Sequence, residues 1–151
     1  MLSVICEIIS KYFTSIILSL AAIYLGWQQN KLNGDNTEKE LFRDFNIRYS
    51  NINNKLNELK SAEMKVITED PLLYDAAMEF FNLCAEEYYW KKKDRISDEI
   101  WKSWHRGMNS WLQQAPVLCE LWESEMIFSG PESYYIKDKY EFFDKSNFKK
   151  I

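Results

Sequence analysis

The 151-residue chain has room for one domain of ordinary size plus a short appendage, and with 46% hydrophobic and 16% aromatic residues it is too apolar to be a disordered segment. A formal charge of -4 disfavours the basic face that nucleic-acid binding needs, and 4 Gly with 3 Pro are too few for the turn-rich spacing of a sandwich or barrel. The three widely spaced cysteines, Cys6, Cys84 and Cys119, suit neither a disulfide framework nor a zinc ligand set.

Residues 12 to 27, YFTSIILSLAAIYLGW, contain no charge. As a helix they span about 24 Å, short of a bilayer core of about 30 Å, and the upstream Val4, Ile5, Cys6, Ile8 and Ile9 can extend the apolar length. Glu7 and Lys11 lie four apart, where they can pair near the headgroups, and Tyr12, Tyr24 and Trp27 fall at interfacial depths. A cleaved signal peptide would need an early basic region and a small-residue cleavage site. An interfacial helix would need a strongly charged face. A buried core helix is the serious competitor, because fewer than about 18 uncharged residues also suit a protein interior. The pattern therefore predicts a transmembrane anchor over residues 1 to 32, and Lys31, Lys39, Arg43 and Arg48 on its C-terminal side direct the remainder to the cytoplasm.

Gly34 is expected to break the pattern, with Asp35 and Glu38 at the spacing of a reciprocal helix cap. Phe42, Phe45, Tyr49, Ile52, Leu56 and Leu59 then recur in heptad steps, beside a polar face that includes Arg43, Asp44, Arg48 and Glu58. The seam suits either a homotypic coiled coil or packing within the chain, and its shortness favours the second. Asp70 and Pro71 announce a helix running to about Lys93, Ser97 caps another that carries Trp101, Trp104, Met108 and Trp111, and Pro116 opens a fifth. Gly130-Pro131 ends it, residues 132 to 143 suggest a last short helix, and fraying is expected over 145 to 151. The predicted fold is all-α, an N-terminal transmembrane helix followed by a bundle of four to five helices over residues 35 to 144.

The unusual chemistry lies in FNLCAEEYYW (81 to 90) and KSWHRGMNSW (102 to 111). A carboxylate among so many rings needs a partner or a raised pKa, and Arg48, His105 and Arg106 can supply one. If Glu86 meets Arg106, then Glu86, Glu87, Trp101, Trp104, His105 and Arg106 form a groove for a peptide or a small molecule. Core packing with one orienting ion pair accounts for the same residues more simply. His105 is the single histidine, Ser103 points away from it at two residues' distance, and no phosphate loop, nucleophile elbow or metal motif occurs. The inventory predicts neither an enzyme nor a cofactor.

The blocks FNLCAEEYYWKKK, IWKSWHRGM, ELWESE and SYY resemble an uncharacterised family of small bacterial and prophage-encoded proteins with an N-terminal membrane helix and a helical cytosolic domain. The resemblance covers about residues 1 to 135 and carries no transferable activity. One departure is Asp94, which stands where a turn glycine is expected after the lysines. The resemblance implies a single-pass protein of the bacterial inner membrane with an accessory role in phage defence or superinfection exclusion. The expected function is a membrane-tethered interaction module whose partners are the lipid bilayer and another protein or a second copy. The alternative is a pore-forming effector in which Ser15, Ser19 and Ala22 allow close approach of N-terminal helices.

Overall fold

A computed structural model describes residues 2 to 148, with the side chains of 2 to 11 and of 14 left aside. The expected Glu7–Lys11 pair, the placement of Cys6 and the tail after Phe148 lie outside the described residues. Among those described, the chain is all-α with no strand: α1 (Leu2–Leu59), α2 (Met64–Glu69), α3 (Pro71–Lys92), α4 (Asp98–Gln114) and α5 (Val117–Phe128), followed by one-turn 3-10 helices at Pro131–Tyr134 and Lys145–Phe148. It divides into two compact units, Met1–Lys39 and Glu40–Ile151.

The expected transmembrane anchor is corrected. Among the described residues no helix is long and apolar enough to cross a membrane, which argues against a single-pass inner-membrane location with the bundle facing the cytoplasm. The uncharged stretch is short by about 6 Å, it is diluted by Ser15, Ser19 and Gly26, and Gln28 and Gln29 follow at once. The break at Gly34 is also absent, since α1 runs through it. One glycine costs a helix interior only about 1 kcal/mol relative to alanine, too little to end a helix of this length.

In the second unit the heptad seam is spent on its own core. Leu56 and Leu59 are buried in the main cluster with Tyr49 and Ile52 packed against it, Phe45 is buried in a smaller cluster with Leu83 and Ile96, and Phe42 alone of the seam stays exposed. The central element is α3. Its start follows from the Asp70 carboxylate, which accepts from Leu72 N at 2.9 Å and Leu73 N at 3.4 Å, ahead of Pro71 at a position that needs no amide hydrogen. It buries Leu73, Ala76, Ala77, Phe80, Phe81, Leu83, Cys84 and Ala85, too broad a set for an amphipathic surface helix. Trp122 on α5 is fully buried, with its ring 5.0 Å from Phe81, 4.9 Å from Tyr134 and 5.2 Å from Phe143, centroid to centroid. Its indole donates to Lys139 O at 2.9 Å, which satisfies the one polar atom of the side chain.

Past α5 the chain departs from the expected last helix. Gly130 takes φ 74° ahead of the first 3-10 turn, and an irregular segment then carries Phe142 and Phe143 into the core. Asn109 on α4, itself buried, holds this segment. Its Oδ1 accepts from Asp144 N and from Asn147 Nδ2, both at 2.8 Å, and its Nδ2 donates to His105 O at 2.8 Å. Residues 145 to 148, expected to fray, thus form a 3-10 turn with Asn147 bonded to the bundle.

Asp94 has φ 54°, in the left-handed region that glycine adopts without steric cost. Here the departure noted in the sequence has a backbone consequence. Asp94→Gly should raise stability by about 0.5–1 kcal/mol, read as a higher thermal midpoint; an unchanged or lower midpoint would show that the aspartate carries no strain.

Candidate functional site

Arg48 is the hub of the second unit's polar chemistry. On α1 it projects towards α3, where Nε and Nη2 donate to Glu79 Oε1 at 3.0 and 2.9 Å, while Nη1 and Nη2 donate to Glu86 Oε2 and Oε1 at 2.8 and 3.0 Å. Asp44 lies 3.8 Å away on the same helix. The bond to Glu86 and, after a desolvation cost, the bond to Glu79 raise the guanidinium's pKa above its ordinary value. The planar fork supplies four hydrogen bonds to the two carboxylates, one more than the three N–H donors of an ammonium allow. Arg48→Met should cost about 2 kcal/mol in denaturant unfolding, a figure reduced from that of a fully buried pair because both carboxylates are over a third exposed.

The next residue along α3, Glu87, faces the other way. It is 7% exposed and lines a cavity of about 190 Å³ between α1, α3 and α4. The walls are mostly apolar: Phe45 and Tyr49 from α1, Phe80, Leu83 and Cys84 from α3, and Trp104, Gly107, Met108 and Trp111 from α4, with Asn46 and Ser103 as further polar groups. Tyr49 Oη is engaged by Trp111 Nε1 at 2.6 Å. Desolvation pushes the Glu87 carboxyl up to about 8; the charge of Arg48 opposes the rise and that of Glu86 adds to it. The same burial, with the charge of Glu87, raises the Cys84 thiol well above its ordinary value, so this cysteine is not poised as a nucleophile.

The six residues singled out from the sequence are therefore divided among three places. Glu87 and Trp104 line the apolar cavity. Trp101, His105 and Arg106 line a separate, polar groove of about 520 Å³ with Lys102, Asn109, Ser110, Gln113 and Asp144. Glu86 belongs to the Arg48 cluster, so the expected meeting of Glu86 and Arg106 does not occur. His105 Nε2 stands 3.8 Å from Asp144 Oδ1 and its ring packs on Trp101. Among the described residues no group of three or more His, Cys, Asp or Glu side chains could hold a metal ion. Sequence reasoning missed the walls supplied by Phe45, Tyr49 and Gly107. A signal for the first two existed, since both sit on the heptad seam.

The first unit carries a different feature. Tyr12, Phe13, Ile16, Ile17, Leu20, Ile23, Tyr24 and Trp27 are each about half exposed or more, and at about 100° per residue they fall within an arc of roughly 140°. Ser15, Ser19, Ala22 and Gly26 border one edge of this arc, and Leu18 and Leu25, also exposed, stand on the far side.

No family model, curated protein or solved structure matches the chain.

Proposed function

We propose that the chain is a non-enzymatic protein-interaction module that associates with a second copy of itself through the Tyr12–Trp27 face of α1. The observation that carries this reading is the exposed apolar stripe. Eight large side chains with about 100 Å² each in contact with water amount to roughly 800 Å² per chain, more than the 300–600 Å² patch of an ordinary monomer. That area also equals what one partner contributes to an interface of standard size, about 1,600 Å² in total. No Asp, Glu, Lys or Arg stands between residues 12 and 30, so two copies meet without like-charge repulsion and nothing on the stripe selects a partner of opposite charge. A two-fold axis lets the same face serve both chains.

The test is a pair of cations at the middle of the stripe. Ile16→Lys with Ile23→Lys should weaken association at least tenfold, so that light scattering finds a multiple of the chain mass for the wild type and the single-chain mass for the variant, both with the same helical circular dichroism. A wild type at single-chain mass across the concentration range, or one taken up by lipid vesicles without self-association, would contradict the proposal.

A further inference from the structure

We propose that the cavity lined by Glu87 is a binding site for a small organic ammonium ion with an apolar body of about one ring. Three observations meet there. Glu87 is only 7% exposed and lines the cavity, yet no described residue hydrogen-bonds its carboxyl. A buried carboxyl without a protein partner is costly unless something else satisfies it.

The walls supply the second feature. Phe45, Tyr49, Phe80, Trp104 and Trp111 surround the space, and aromatic faces attract a desolvated cation that also donates a charge-assisted hydrogen bond to a carboxylate. The third is room. The space of about 190 Å³ exceeds the cavity of about 150 Å³ that holds a benzene ring. A ring, one methylene and an ammonium fit; a peptide side chain with its backbone does not.

The positive charge of Arg48 reaches the Glu87 carboxyl, but Glu79 and Glu86 set two negative charges against it. Arg48 on α1 is already engaged by Glu79 and Glu86, Cys84 and Glu86 are the titratable neighbours on α3, and the α4 residues at the wall carry no charge. Because the Glu87 carboxyl holds its proton near neutral pH, capture of an ammonium ion transfers that proton to solvent. The O–H bond of Glu87 is broken and its carboxylate receives the N–H donor, with no covalent bond to the ligand.

Titration calorimetry of the full chain with benzylamine hydrochloride, in buffers of different ionisation enthalpy, tests this. The expected result is one site per chain, about one proton released below pH 8, and affinity that rises with pH towards 8. Benzyl alcohol, the neutral analogue, should bind at least tenfold more weakly. Glu87→Gln should lose at least tenfold for the amine and show no proton release. Equal affinity for amine and alcohol, undiminished binding by Glu87→Gln, or no heat at all in a folded wild type would overturn the proposal. Because the cavity lies wholly in the second unit, the double variant Ile16→Lys with Ile23→Lys should bind benzylamine as the wild type does, which separates this outcome from that of self-association.

Discussion

Replacement of Trp122 by alanine should destabilise the second unit by about 4 kcal/mol, the largest effect expected of any single substitution in the chain. The ring is fully buried and touches elements from three parts of the sequence: Phe81 of α3, Tyr134 of the first 3-10 turn, and Phe142 and Phe143 of the C-terminal segment. Its removal takes away apolar transfer energy, leaves a void among rings that cannot all move inward, and strands the Lys139 carbonyl. Trp122→Phe keeps most of the volume but loses the hydrogen bond, and should cost about 1–2 kcal/mol. Urea unfolding followed by circular dichroism measures both. If Trp122→Ala costs less than Trp122→Phe, the indole does not centre the core.

The second large effect is a dependence on pH that one residue produces. The folded Glu87 carboxyl holds its proton to about pH 8, against an ordinary value of 4.5. Between those values the folded chain binds more protons at this site than the unfolded chain, so stability falls as pH rises. The contribution is present in full below pH 4.5 and is lost as pH climbs through 8. At about 1.4 kcal/mol per pH unit the loss reaches about 5 kcal/mol at most. Other carboxylates titrate at the acid end, so the informative quantity is the difference between wild type and Glu87→Gln. That difference should favour the variant increasingly from about pH 5 to about pH 9. A difference that stays constant with pH would mean that Glu87 is ionised in the fold at neutral pH.

The parts of the fold that rest on local chemistry were legible in the sequence. Asp70 and Pro71 mark the start of α3 because cap and proline act within one turn, and α4 starts directly after Ser97 with Asp98 and Glu99 in its first turn, although the Ser97 side chain makes no cap hydrogen bond. The six-residue α2 was not legible: it is shorter than two turns and no side chain caps its start. Gly34 misleads because a helix-weakening residue resembles a helix end, although propensity alone cannot stop an element this long. The apolar stretch from Tyr12 to Trp27 misleads because burial in lipid and burial against protein demand the same composition, and only length separates them.

At the site, residue types were readable and so was one partner, Arg48, named among three candidates for a carboxylate of this helix; which carboxylates it meets was not. Arg48 reads both as part of a solvated face and as a candidate partner for a carboxylate, and α3 packs close enough to set two of its own carboxylates against the guanidinium. Glu86 and Glu87, adjacent in sequence, point about 100° apart on a helix. One therefore joins the ion cluster and the other the cavity. The split of Trp101 and Trp104 between the polar groove and the apolar cavity has the same origin, since a three-residue step on α4 carries them to either side of the helix's inner edge.

The stripe on α1 can be examined at a single position. Leu20 sits at its middle, so two copies bring their Leu20 side chains together whether the helices run parallel or antiparallel, whereas Leu25 lies on another side of the helix. In a chain with Cys6 replaced by serine, Leu20→Cys treated with a short bismaleimide should give a covalent dimer in high yield, and Leu25→Cys should give little. Equal yields at the two positions, or no covalent dimer at Leu20 at concentrations where the wild type is pure and folded, would contradict association through this face.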